Sequence, residues 1–318
     1  MTENGQSPAK EPADFLAGGK DVKIDRLTMK VIPDSSTAAQ ALINSEIDYF
    51  QFVPFDWVDR LKKTPHIKLM SLSGLDMYQG NFRLNQASPP FNDPAVRRVL
   101  WKPVDQKTML EAIGVAPELR VDNCPSFWMC GTPYETKVNS EVAYYSLEEA
   151  KADLAKTSYK GEKVIFLDIA NSTNSQPPAA VMMEAMKKVG FNVDSQLMDW
   201  GTVLQRRAKK DSWSMFAVFS NGIDMYSPLT HFYVASNCVE YPGWSCDPRA
   251  TPLLSDFVNA DGMAARKEIA TKIQSIMYEN VPAVMWGQFS IPAGYRDTLI
   301  NPIQSSFPIF WGVDKTGK

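Results

Sequence analysis

The chain has 318 residues, of which 44% are hydrophobic and 22% charged, with a formal net charge of −3. That is an ordinary globular mix with enough material for two lobes, and it offers no basic stripe to nucleic acid or to an anionic membrane. No apolar run reaches the roughly 20 residues of a membrane-spanning helix, and Met1-Thr-Glu-Asn-Gly lacks the basic and apolar regions of an export signal, so none is expected in the chain as it stands.

Residues 1–20 are polar and contain Pro8, Pro12, Gly18 and Gly19, which predicts a disordered or loosely attached lead-in. Val22, Ile24, Leu27, Met29 and Val31 alternate and predict a strand running to Pro33. A short helix capped at Ser35 or Ser36 follows, then a strand over 46–53, a helix opened by Pro54 and a strand over 66–70. Residues 80–85 read as another strand. Asp93 caps a helix with Pro94 at its first position, Pro103 breaks it, and a second helical piece runs from Asp105 to Ile113. Residues 114–145 are rich in loops.

From Ser146 to Phe219 the pattern is helix, strand, helix, strand, helix, strand, with few residues to spare. Ser146 and Glu149 form a capping box. Val164 to Ile169 is a short apolar run; Pro177 and Pro178 open a helix that Gly190 closes; 191–198 alternates; Asp199 or Gly201 starts a helix; 213–219 is the last strand. Helices alternating with buried strands predict a parallel sheet covered on both faces, whose ligands bind beyond the carboxyl ends of the strands. The loops there are 170–176, 199–200 and 220–228. Beyond them 226–247 is irregular and aromatic, 248–258 and 262–280 are helical with Gly262 just ahead of the second helix, and the tail from Val281 is strand-like.

Four cysteines fall in two close pairs, Cys124/Cys130 and Cys238/Cys246. Two loop-closing disulfides fit this spacing better than zinc, since neither pair is CxxC and the two histidines, His66 and His231, are far apart; four reduced thiols are the plain alternative. No nucleotide-binding, nucleophile-elbow or zinc-protease motif occurs, so catalysis lacks an evident base, and an enzyme would have to be a carboxylate-based hydrolase.

The stretch Asn85-x3-Pro-Pro-Phe-x-Asp-Pro-Ala-Val-Arg-Arg98 resembles the signature of the family 5 extracytoplasmic solute-binding proteins. Glu46-Ile-Asp48, Asp105-Gln-Lys-Thr-Met109, Val189-Gly-Phe-Asn-Val193, Asp199-Trp200, Gln205-Arg-Arg207, Gly287-Gln288 and Pro308-x-Phe-Trp311 follow in the family's order, over about residues 10–318. Trp101-Lys-Pro-Val104 departs from it, standing where the family has an alanine-rich helix. The resemblance implies a periplasmic-binding-protein-like α/β fold of two lobes joined by hinge strands near 81–85 and 286–290. Residues 21–90 with 290–318 would be a first lobe, incomplete at its N-terminus, and 91–289 the second. It further implies a periplasmic, non-catalytic and monomeric importer component without cofactor or metal. Such a component closes on a small peptide and presents it to the membrane permease. A non-catalytic interaction or chaperone-like lobe, or an inactive fragment, is the competing reading.

A peptide brings an amine, a carboxylate and a polar backbone, and each buried charge needs a partner. Similar proteins place an acid for the α-amine near Asp224. Arg206 and Arg207 can offer a guanidinium fork to a carboxylate. Trp200, Tyr226 and Trp286 can supply flat walls, and Asn171, with Ser172 and Asn174, can hydrogen-bond a ligand backbone. Each has a plainer reading as a cap, a solvated helix face, a core aromatic or a turn former.

Overall fold

The structure is a computed structural model that describes residue 12, residues 18–170 and residues 172–316. Most of the lead-in expected over 1–20 therefore lies outside the described residues. The chain forms two compact units, one from the described residues up to Leu72 together with those from Ile291 onward, the other from Ser73 to Ser290.

The smaller unit begins with a correction. Residues 22–33 form no strand, and Leu27, Met29 and Val31 are exposed. Alternation suits a strand, but a strand exists only where a neighbour takes its amides and carbonyls, and none of the described residues does so here. Helix α1 (Ser35–Ile43) starts one residue earlier than expected, because the Asp34 carboxylate accepts from Thr37 N at 2.7 Å. β1 (Tyr49–Phe50), α2 (Phe55–Lys62) and β2 (Ile67–Met70) follow.

The larger unit continues in chain order with β3 (Tyr78–Leu84), α3 (Pro94–Val99), α4 (Gln106–Ile113), β4 (Arg120–Val121), α5 (Leu147–Leu154) and β5 (Lys163–Ile169). Next come α6 (Gln176–Val189), β6 (Asn192–Met198), α7 (Trp200–Arg207), β7 (Met215–Asn221), α8 (Gly222–Met225) and α9 (Phe232–Ala235). α10 (Ala250–Asn259), α11 (Gly262–Asn280) and β8 (Ala283–Phe289) complete it. The chain then returns to the smaller unit with β9 (Ala293–Arg296), β10 (Leu299–Ile300) and β11 (Asp314–Lys315). There β9 lies between β1 and β2 and pairs antiparallel with both. Leu42, Val53, Val58, Leu61 and Ile67 make that unit's core, and Gly294 lets β9 pass under it, since a Cβ there would sit 2.9 Å from Leu42.

The six strands of the larger sheet run in the order β4-β8-β3-β7-β5-β6. The expectation of parallel strands holds for β5, β6 and β7 and fails for the other half of the sheet. β3 pairs antiparallel with both β7 and β8, and β4 antiparallel with β8. The helix–strand alternation that signals parallel pairing is confined to residues 146–221, and β3 and β8 reach the sheet from distant parts of the chain. Caps fall where the side chains demand them: Asp93 on α3, Asp105 on α4, Ser146 on α5 and Asp199 on α7 each accept from an amide of the first turn, and Gly190 ends α6 in the left-handed region at φ 115°.

The signature residues hold this unit together. Asn85 is fully buried; its Nδ2 donates to Trp213 O at 2.7 Å and Lys210 O at 2.8 Å, and its Oδ1 accepts from Ala87 N. Arg97 is buried too, and donates to Asn280 O at 2.7 Å, Asn280 Oδ1 at 2.8 Å and Phe91 O at 2.6 Å, which ties α3 to the end of α11. The Trp101-Lys-Pro-Val104 departure is also absorbed by packing: Trp101 stacks on Tyr278 at 4.4 Å and donates from Nε1 to Tyr278 O. Cys124 is bonded to Cys130 and Cys238 to Cys246, so all four cysteines are accounted for as disulfides and none is left for zinc.

Candidate functional site

Three parallel strands, β7, β5 and β6, lie side by side and end on the same edge of the larger sheet. The chain leaves them through α8, the 170–175 loop and the start of α7. Neighbouring strands are spaced about 4.8 Å apart, so β7 and β6 lie about 10 Å apart across the sheet; the register sets Ile169 and Met198 level with Val218, and β7 runs on to Asn221.

Asp224 stands at this edge, in α8, the single turn that follows β7. Its position is fixed by Gly222, whose N donates to Met77 O at 2.8 Å and whose missing Cβ would lie 2.8 Å from the carbonyl oxygens of Leu75 and Met77. Asp224 is half-buried. Burial pushes its carboxyl above the ordinary aspartate value, the Asn221 side chain opposes the shift, and no lysine or arginine contributes. It is therefore a carboxylate at a strand end without a counter-ion among the described residues. Tyr226, also half-buried, stacks on Tyr134 at 5.9 Å. Trp200 opens α7 with 42% of its surface exposed, and the guanidinium carbon of Arg207 lies 5.7 Å from its ring. Ser172 and Asn174 are half-buried in the loop after β5, and Asn171 lies outside the described residues.

Two candidates are placed elsewhere. Trp286 is fully buried in β8, where its indole fills the space over Gly80, donates to Val218 O at 3.1 Å and stacks on Phe289 at 5.4 Å. It presents no surface to a ligand. Arg206 donates to the Gln196 side chain and to Ser212 O, which fastens α7 to β6 and to the turn before β7. Its fork is used inside the fold.

Asp168 went unnoticed in the sequence. It is the next-to-last residue of β5, 9% exposed, with Oδ1 buried and unpartnered and a carboxyl pushed up by burial. An acid inside an otherwise apolar strand run was the available signal. A groove of about 520 Å³ lies away from this edge, lined by Arg98, Trp101, Lys102 and Tyr278 among others. The Lys102 ammonium there is neutralised by Glu149 at 3.0 Å and Asp153 at 2.6 Å, so it does not wait for an anion. No group of three or more His, Cys, Asp or Glu able to hold a metal ion occurs among the described residues, and none of their helices is long and apolar enough to cross a membrane.

Residues 10–242 match the family described as "Bacterial extracellular solute-binding proteins, family 5 Middle". The chain is 28% identical over 322 residues to a probable peptide ABC transporter periplasmic-binding protein, y4tO, of Sinorhizobium fredii, covering 97% of this chain and 60% of that one. The periplasmic binding protein DppA of Helicobacter pylori, solved in complex with the peptide STSA, superposes with a TM-score of 0.74 at 21% identity, over 91% of this chain and 56% of that one. AgaA of A. tumefacien R10, solved with agropinic acid, gives a TM-score of 0.74 at 18% identity, over 90% of this chain and 60% of that one. The chain thus spans about 60% of the length of such relatives and shares their α/β fold. The family resemblance carried by the 85–98 signature and the motifs after it is borne out, and the chain belongs to the bacterial extracellular solute-binding proteins of family 5.

Proposed function

We propose that this chain is the substrate-binding part of a peptide-importing ABC system, that it works in the periplasm, and that it captures a small peptide non-catalytically for delivery to the membrane permease. The observation that carries this reading is Asp224, a half-buried carboxylate at the strand edge whose desolvation no cationic side chain among the described residues offsets. A buried ion without a partner is costly, and the α-ammonium of a peptide is a partner of the right charge. Tyr226, two positions along the same segment, offers a flat wall for a side chain, and the loop after β5, with Ser172 and Asn174, offers polar groups for a peptide backbone.

The test is calorimetric titration of the chain and of Asp224→Asn with a mixed di- and tripeptide pool. Asp224→Asn is expected to lose at least about tenfold in affinity, equivalent to about 1.4 kcal/mol. The pH profile has a defined sign. Because burial raises the Asp224 carboxyl, affinity should climb as pH rises above the ordinary aspartate value of about 4 and the acid ionises, then fall above about 8 as the peptide amine loses its proton. Equal affinities for the two proteins, or a flat profile between pH 4 and 7, would refute the assignment.

A further inference from the structure

A second unbalanced charge lies on the α7 side of the same sheet. Asn81 and Arg83, two apart on β3, share one face. The Tyr233 hydroxyl joins them, donating to Asn81 Oδ1 and accepting from Arg83 Nε at 3.2 Å. Arg83 Nη2 donates to Tyr241 Oη at 3.4 Å, and Nη1 is buried with no partner. The residue is 5% exposed. Beside it stands Arg207, half-buried, with no hydrogen-bond or ion-pair partner among the described residues. Burial and the neighbouring Arg83 hold its pKa below the ordinary arginine value, and the other groups acting on it are Tyr241 and Tyr233, with no carboxylate among them. The acid of the same loop, Glu240, is taken by Lys210 at 2.9 Å and by Trp244 Nε1. Two guanidinium groups thus lie close together with no anion among the described residues beside them.

We propose that Arg207, Tyr241 and Trp200, backed by the field of Arg83, form an anion subsite that takes a carboxylate carrying an apolar group. The planar guanidinium fork matches a carboxylate. Trp200 and Leu204, one helical turn apart on α7, are 42% and 38% exposed and form an apolar ledge next to the charge. Inorganic phosphate would leave that ledge uncovered. The subsite is distinct from Asp224 and does not rest on the peptide reading. Arg83 pairs in register with Phe216, near the start of β7, whereas Asp224 lies beyond Asn221 at its end. Five residues of strand, about 16 Å, separate the two levels.

The probe is 3-phenylpropionate, titrated calorimetrically into the whole 318-residue chain, with 3-phenylpropionamide as its neutral counterpart and inorganic phosphate as competitor. The acid should bind, the amide should bind at least tenfold more weakly, and phosphate should displace the acid poorly. Arg207→Gln should weaken the acid at least tenfold, Arg207→Lys by less, and Trp200→Ala should weaken it while leaving its salt dependence intact. Near-UV circular dichroism checks that each variant is folded, and Asp224→Asn should bind the acid like the wild type. The proposal is overturned if the acid does not bind the wild type, if folded Arg207→Gln binds it equally, if the amide binds as well as the acid, if phosphate competes as well as the acid, or if Asp224→Asn abolishes binding. A peptide weakened by both Asp224→Asn and Arg207→Gln identifies the carboxylate as the far end of one long ligand; a peptide weakened by Asp224→Asn alone assigns the subsite to a free acid.

Discussion

Asp168 and Asp224 share a difficulty, since both are acids pushed toward the neutral form by burial with no cation to offset it. At Asp168 the consequence is one of stability. It follows Val164 and Phe166 on one face of β5, and only the Gln176 side chain opposes the upward shift. A carboxyl raised in the folded state loses nothing below its unfolded value near 3.9, and weakens the fold as pH climbs through the higher folded value. Asp168→Asn should therefore be more stable than the wild type at pH 7.5 by on the order of 1 kcal/mol, with the difference shrinking toward pH 4.5. Urea titrations at the two pH values measure this, and an equal difference at both would show that the charge is not the cause. Arg97 is the opposite case, a cation each of whose three nitrogens donates a hydrogen bond. Burial and the neighbouring Arg98 lower its pKa to about 10, yet three strong acceptors hold it in place. Lysine keeps the charge but cannot span both ends of that clamp, so Arg97→Lys should cost about 2–3 kcal/mol in the same assay. The signature containing Arg97 was legible in the sequence as a family mark. Its physical role was not, because its partner Asn280 is 183 positions away.

At the scale of elements, α8 shows how much one position can depend on a missing side chain. A Cβ on Gly222 would meet the Leu75 and Met77 carbonyl oxygens at 2.8 Å and Met129 Cε at 2.7 Å. Two of those atoms are backbone and cannot swing aside, so Gly222→Ala must push α8 off β7 and carry Asp224 with it. We expect a stability loss of about 1–3 kcal/mol together with weaker peptide binding. A variant that loses stability and keeps full affinity would show that Asp224 is not where the ligand is held. Helices and caps were readable in advance because their causes are local: Asp93, Asp105, Ser146 and Gly190 act within a few residues of themselves. The antiparallel half of the sheet and the unpaired stretch at 22–33 were not, because a strand is completed by its neighbour and alternation does not say whether a neighbour exists. The candidate site followed the same division. Asp224 could be placed from its position after a strand, whereas the burial of Trp286 over Gly80 and the engagement of Arg206 depend on contacts that only the folded chain makes.

The two units differ in how they are threaded, and that difference predicts how each behaves alone. Every strand of the six-stranded sheet, both disulfides and helices α3 to α11 come from the unbroken segment 73–290. Its central strands β8, β3 and β7 bring buried side chains from the start, middle and end of that segment, among them Phe82, Phe216 and Trp286. Nothing in its ladder is borrowed from outside. The smaller unit is different: β9, which arrives only after residue 290, is the middle strand between β1 and β2, and without it the two edge strands have no partner to share. A fragment of residues 73–290 should therefore fold by itself, with a single cooperative thermal transition and native near-UV circular dichroism. A fragment ending at residue 72 should remain largely unstructured until a peptide spanning 291–318 is added. If 73–290 melted without a transition, or if the short fragment folded unaided, the cores would not be divided between the units as the strand ladders indicate.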